Sequence, residues 1–155
     1  TDALSNKTRY QYDGEGNLIA ATDAKGNKTT YTYDALGQNT HITFANGTTL
    51  EYAYDQMGNV IQQKKRDGAK IKFAYDALDQ LVEKLYPDGT TDKYGYNEIG
   101  QLISAVNKNA TVTLAYDKAG RLTAETLNSQ VTAYSYDVPN RKRIWQESHA
   151  NDECS

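Results

Sequence analysis

Seven acidic or amide side chains stand at one recurring place in this sequence. Asp13, Asp34, Asp55, Asp76, Asn97, Asp117 and Asp137 directly follow Tyr12, Tyr33, Tyr54, Tyr75, Tyr96, Tyr116 and Tyr136, and five copies place a glycine three residues later, at Gly16, Gly37, Gly58, Gly100 and Gly120. A carboxylate column of this kind could be a calcium ladder, as in acidic β-repeats. Calcium takes about six to eight oxygens, however, and each unit here offers one recurrent carboxylate. Asn97 moreover replaces the acid without disturbing the repeat. Turn formation accounts for the column better, and no metal or cofactor is expected.

The tyrosines invite a second chemistry, since aromatic faces stack on sugars and hold quaternary ammonium groups. Such platforms usually draw on tryptophan, and the one tryptophan, Trp145, lies outside the repeats. Phe73 and Leu114 stand where other units place the first tyrosine of the pair, so that column needs apolar bulk more than a hydroxyl. Packing is the favoured role, and a carbohydrate- or cell-wall-binding surface built on exposed tyrosines is the alternative.

Catalysis has the weakest case. Cys154 is the one thiol, and its nearest base, His149, sits in the polar tail "ESHANDECS", so it reads as an incidental tail thiol. His41 shares a column with Gln62, Glu83 and Ser104, which has no apolar demand, and reads as solvated. Glu98 and Glu125 belong to no repeated or paired set. No nucleophile, base and orienting group come together, and the chain reads as non-enzymatic.

The elements that position these residues follow from the phrase itself, as in "TTYTYDALGQ", "LEYAYDQMGN" and "VTLAYDKAGR". Its second tyrosine recurs at intervals of 21 residues four times and 20 twice, the mark of a repeat architecture. Within a unit the period is two, so Tyr31 and Tyr33, for example, share one side of an extended strand. Asp followed by Gly at the fourth place fits a type I turn, in which the Asp side chain accepts a backbone N–H. Asp79 and Asn140 hold the glycine place in two copies and weaken them. A second extended run opens at Leu18, Val60, Leu81, Leu102 and Leu122. It ends at Lys25-Gly26, Asn46-Gly47, Asp67-Gly68 or Asp88-Gly89, which suggest tight two-residue turns with both central residues at positive φ. The 20-residue units lack that glycine, with Asn109-Ala110 and Ser129-Gln130 instead, and are expected to form less regular hairpins.

Seven hairpins give about 14 strands, more than a twisted open sheet of about ten carries without curling or closing. The expected fold class is all-β: antiparallel hairpin repeats in a wide, curved, spiralling meander. The repeats occupy residues 1–140, and residues 141–155 form a degraded last repeat and polar tail. Leu, Ile, Val and Phe make up roughly 17% of the 155 residues, below the ~20% associated with disorder at high net charge. The net charge is only −3, and 12 of the 13 tyrosines lie in the repeated phrase, which points to an ordered chain with a thin tyrosine-rich core. The mixed charge gives no basic face for nucleic acid, and the cluster Arg141, Lys142 and Arg143 is short. No apolar run approaches the ~18 residues of a membrane span, and no signal peptide opens the chain. The pattern is entered partway through a unit, so the chain reads as a segment of a longer parent.

The phrase Y-x-Y-D-x-x-G-x-L followed by a D-G or N-G turn, over residues 8 to about 140, resembles the YD repeats of the Rhs family. That family includes bacterial Rhs toxins, the B and C components of insecticidal toxin complexes, and teneurins. The resemblance implies a segment of a hollow β-shell that encloses or presents a toxin or other effector domain, in a secreted or cell-surface parent, with a bacterial one favoured. Its implied partners are further YD repeats of the parent and an enclosed or C-terminal effector. The self-cleaving acidic segment that closes many Rhs cores is absent, and "DVPNRKRIWQ" is a degraded repeat, so no toxin activity attaches to these residues. Strands near Lys7 to Tyr12 and Arg141 to Ser148 would have open edges, which favour edge-to-edge self-association.

Overall fold

The structure, a computed structural model, describes residues 7–136 and the backbone of the strand at 142–146. Asp137, Pro139, Asn140 and Arg141, the side chains of Lys142, Arg143 and Trp145, and His149 and Cys154 lie outside the described residues. Alternating runs rich in Thr, Tyr, Val and Ile, which fit a pleated, half-buried surface, become strands. Fourteen are present among the described residues: β1 (Arg9–Tyr12), β2 (Leu18–Thr22), β3 (Lys28–Tyr33), β4 (Asn39–Thr43), β5 (Thr49–Tyr54), β6 (Val60–Lys64) and β7 (Lys70–Tyr75), then β8 (Leu81–Leu85), β9 (Thr91–Tyr96), β10 (Leu102–Val106), β11 (Thr111–Tyr116), β12 (Leu122–Leu127), β13 (Gln130–Tyr136) and β14 (Lys142–Gln146). The fold is an all-β antiparallel meander of hairpins.

The chain divides into two compact units, residues 1–79 with 85–89, and residues 80–84 with 90–155. In the first, β1 to β7 pair in chain order. In the second, β9 to β14 do the same.

Among the described residues, the tyrosine-bearing strands leave through three-residue loops. At the first, the Gly16 N–H donates to the Asp13 carbonyl (3.2 Å) and the Asp13 N–H to the Asn17 carbonyl (3.0 Å), a type I turn closed by a left-handed glycine with φ 90°. Asp79 takes the glycine place in its own loop at φ 59°, a conformation that Asp tolerates better than most residues.

The second loops differ from the sequence expectation. In place of a two-residue turn at Asn46-Gly47, the Gly47 N–H donates to the Phe44 carbonyl (2.9 Å) and the Phe44 N–H to the Thr48 carbonyl (3.0 Å). The loops at Asp23 and Lys65 close in the same way. A three-residue loop asks for one left-handed residue, which the glycine supplies, so Lys25, Asn46, Asp67 and Asp88 keep negative φ.

The 20-residue units also correct an expectation. Asn128 (φ 47°) and Ser129 (φ 77°) form a regular two-residue turn between the paired residues Leu127 and Gln130. At the other short loop the Asn107 N–H donates to the Ala110 carbonyl (2.9 Å), while Asn107 Oδ1 accepts from the Asn109 and Ala110 N–H groups. Each short unit therefore loses its one residue in the second loop and keeps a well-bonded hairpin.

Five strand pairs after a YD loop carry a bulge at one place, whereas β13 and β14 pair without one. Gln11 faces Ala20 and Tyr12 faces Leu18, so Ile19 is extra. Thr40, Ile61, Ile103 and Thr123 are extra in the corresponding pairs. Bulges bend and twist a strand and interrupt its ladder.

Burial is shallow. Ala20 and Ile71 are the buried apolar residues among those described, and no large side chain is fully buried. The tyrosine-rich core expected from composition is instead a half-buried lining: Tyr31, Tyr33, Tyr52, Tyr54, Tyr75, Tyr94, Tyr96, Tyr116, Tyr134 and Tyr136 are all intermediate. Contacts within each unit run between strands adjacent in sequence, so neighbouring side chains on one sheet face shield one another.

Candidate functional site

The recurrent residues converge on the joint between one repeat and the next. At the YD loop, Asp13 Oδ1 accepts from the backbone N–H groups of Glu15 (3.0 Å) and Asn17 (2.8 Å), and Oδ2 accepts from the Asn17 side-chain amide (3.0 Å). Asp34 binds Leu36 and Gln38 in the same way, and Asp55 binds Met57 and Asn59. At Asp117 the last donor is the guanidinium of Arg121, at 2.7 Å. Asp76 accepts from the Leu78 N–H at 2.9 Å. Asn97 keeps both backbone bonds through Oδ1, and its own amide now donates to Gln101 Oε1 (2.9 Å). The interchange of Asp and Asn thus reverses one side-chain bond and spares the turn.

These donors hold several of the carboxyls below the ordinary range. The leading cause is the Asn17 side-chain amide at Asp13, the Asn59 backbone N–H at Asp55 and the Arg121 backbone N–H at Asp117. Among the described residues no group of three or more His, Cys, Asp or Glu is placed to hold a metal ion.

The second tyrosine of each phrase links repeats. Its phenol donates to the carbonyl of the residue that opens the second strand of the preceding repeat: Tyr33 to Leu18 (2.8 Å), Tyr54 to Asn39 (2.7 Å), Tyr75 to Val60 (3.0 Å), Tyr96 to Leu81 (2.9 Å), Tyr116 to Leu102 (2.8 Å) and Tyr136 to Leu122 (2.8 Å). The separation is fifteen residues in the first four bonds and fourteen in the last two, which follows the shorter loops. Tyr12 has no preceding repeat among the described residues and is 59% exposed. Burial raises the pKa of Tyr54 above the ordinary phenol value.

The first column has no such shared bond. The Tyr52 hydroxyl accepts from Gln63 Nε2 (3.4 Å), and the Tyr134 hydroxyl donates to Glu125 (3.2 Å). His41 is exposed on β4, beside Thr40 and across from Glu51. Glu98 lies in the loop after β9, and Glu125 lies on β12, where it accepts from Tyr134.

Sequence reasoning missed two parts of this joint. One is the phenol bond, signalled by a second column that is tyrosine in all seven copies while the first admits Phe73 and Leu114. The other is the residue four after each Asp, which always carries a side-chain donor: Asn17, Gln38, Asn59, Gln80, Gln101 and Arg121. Some of these also reach the next loop. Gln101 Nε2 donates to the Gly120 carbonyl (3.0 Å), and Asn59 Nδ2 to Asp79 Oδ1 (2.8 Å).

A meander of two-strand units, each closed by a side-chain-capped loop and tied by a phenol to the second strand of the unit before it, is a YD-repeat β-sheet. The chain belongs to the teneurin YD-shell family, whose model matches residues 1–153. No curated protein matches it. Among solved structures it is similar to TcdB2-TccC3 without its hypervariable C-terminal region, at 19% identity and a TM-score of 0.76 over 94% of this chain and 9% of that one. A second TcdB2-TccC3 crystal structure gives 19% identity and a TM-score of 0.79 over 94% and 9%. A Photorhabdus luminescens Tc holotoxin pore gives 19% and 0.73 over 88% and 9%. The chain spans about a tenth of the length of each of these proteins and shares their fold over that stretch.

Proposed function

We propose that this chain is a structural, non-catalytic length of wall in a β-shell whose parent, secreted or at a bacterial cell surface, encloses or presents a toxin or other effector domain. The observation that carries this reading is the phenol-to-carbonyl bond between every described pair of successive repeats. Each repeat accepts from the next and donates to the one before, so repeats of this kind add in series without a natural stop. The Lys142 backbone faces Tyr136 in direct register, without the bulge that sets Leu18 opposite Tyr12, and carries the pairing one strand further. Family membership and the TcdB2-TccC3 fold support a wall built this way. The tyrosine rings after β1 are half-buried and their second-column hydroxyls are engaged, which leaves little aromatic surface for sugars.

Limited proteolysis of the full-length parent tests the reading. The repeat region and the effector domain should resist protease together, and Tyr33→Phe, Tyr54→Phe and Tyr75→Phe combined should expose the effector. An effector cut at the same rate with and without the repeats would overturn it.

A further inference from the structure

Hairpin loops alternate between the two ends of their strands, so the first unit has two loop edges with different chemistry. One carries the YD loops at 13–17, 34–38, 55–59 and 76–79. Its charged residues are Asp13, Glu15, Asp34, Asp55, Asp76 and Asp79, with no lysine or arginine. The other carries the second loops and their flanks, where Lys25, Lys28, Lys65, Arg66 and Lys70 outnumber Asp23, Asp67 and Asp88. Opposite edges of one sheet therefore carry opposite charge.

The acidic edge also bears a row of apolar tips. Leu36, Met57 and Leu78 hold the same place in successive loops and are 76%, 74% and 70% exposed. Two strands separate each from the next, a pitch of about 10 Å. Between the Asp34 and Asp55 loops lies an open slot of about 470 Å³ lined by Asp34, Leu36, Gln38, Tyr52, Tyr54 and Asp55. Carboxylates beside apolar walls suit a lysine, whose methylene stem covers apolar surface while its ammonium meets the acids. Lys25, Lys28, Lys65 and Lys70 are all exposed on the opposite edge, at the loops 23–27 and 65–69, so lysines recur at every second loop.

We propose that the acidic loop edge of the first unit docks the lysine-bearing loop edge of a second copy of this sheet, head to tail, with lysine stems entering the slots between aspartate loops. The lysine-bearing loops stand two loops apart, so they meet every second slot of the acidic edge in register. A head-to-tail contact uses a different surface on each partner and so grows into chains unless it closes on itself. The contact is made by loop side chains, unlike pairing through the open backbone of an edge strand, and it stands independently of the wall reading.

Sedimentation velocity of the full chain tests it. Association should weaken roughly tenfold or more between about 0.05 and 0.5 M salt, as screening of exposed charges requires. One variant carries Leu36→Ser, Met57→Ser and Leu78→Ser; another carries Lys25→Glu, Lys28→Glu, Lys65→Glu and Lys70→Glu. All seven positions are exposed, and circular dichroism checks that each variant keeps its strands; if one does not, Leu36→Ser or Lys65→Glu alone replaces it. Each variant should lose self-association. An equimolar mixture should regain a one-to-one pair that does not grow, because one intact acidic edge then meets one intact basic edge. A chain monomeric at low salt, self-association unchanged in both variants, or a mixture that stays monomeric would each overturn the proposal.

Discussion

The phenol of Tyr54 donates to the backbone carbonyl of Asn39 at 2.7 Å, and Asn39 is the residue that Tyr33 faces across β3 and β4. Tyr54 therefore binds the strand partner of its own counterpart one repeat earlier. Tyr33 does the same with Leu18, the partner of Tyr12. The relation passes the register of each hairpin to the next. In a sheet with little buried surface, this bond supplies definition that a deep core would otherwise give.

Removing one phenol should show its contribution. Tyr33→Phe keeps the ring and deletes the donor to Leu18, so it should cost about 1 kcal/mol, the usual net value of a hydrogen bond. Tyr31→Phe, in the column that already tolerates Phe73, should cost much less. Urea denaturation of the two variants gives the comparison, and equal losses would assign the effect to general packing.

Asn39 offers the opposite case. It stands where other repeats have Leu or Val, and its Oδ1 is buried without a hydrogen-bond partner. Tyr54 needs only the backbone carbonyl, which any residue supplies. Asn39→Leu should raise the unfolding free energy by about 1 kcal/mol through loss of an unsatisfied polar atom. A lower urea midpoint would show that the weak amide bonds to the Thr32 and His41 carbonyls matter more.

Acid should loosen the YD loops. The carboxyls of Asp13, Asp55 and Asp117 have lower pKa values folded than unfolded because they accept bonds from their own loops. Their contribution is present above the unfolded value of about 3.9 and is lost as pH falls through the lower folded value. Thermal midpoints should be level from about pH 5 to 7 and fall below about pH 4. The triple variant Asp13→Asn, Asp55→Asn, Asp117→Asn should show a shallower fall. An identical acid profile would place the sensitivity elsewhere.

Two glycines with the same backbone should respond differently to alanine. Gly37 (φ 76°) has open space where a Cβ would lie, whereas at Gly100 (φ 80°) the added carbon would stand 2.8 Å from Gln80 Nε2. Both variants should lose about 1 to 2 kcal/mol for the left-handed conformation. Gly100→Ala should lose more, because the Gln80 side chain must move. Chemical denaturation of both proteins decides it, and equal losses would show that Gln80 yields freely.

Strand number, antiparallel pairing and the YD turn were legible from period and turn chemistry, because each depends on local residue types. Loop length was not. A glycine after Asn46 or Asp67 suits either a two-residue or a three-residue turn, and the pairing of the flanking strands decides between them. Ser129 shows the converse, a tight turn with no glycine to signal it. The spacing of the tyrosine pair predicts a core because aromatic spacing reports a sheet face and not whether anything covers that face. The phenol bond spans fifteen residues and ends on a backbone atom, so no side-chain identity marks its acceptor, which is Asn39 in one repeat and leucine or valine in the others.

The last two repeats change length at their second loop while the phenol bonds of Tyr116 and Tyr136 stay at 2.8 Å. Connection length and interlock are thus separate properties of the unit, carried on different stretches of chain. A lineage of such proteins can gain or lose residues at the second loop, or display an insert there, without resetting any neighbour. The YD loop lacks that freedom, since its aspartate, its donor four residues on and the following bulge fix one another. Variation in length should therefore gather on one rim of the sheet and leave the other uniform.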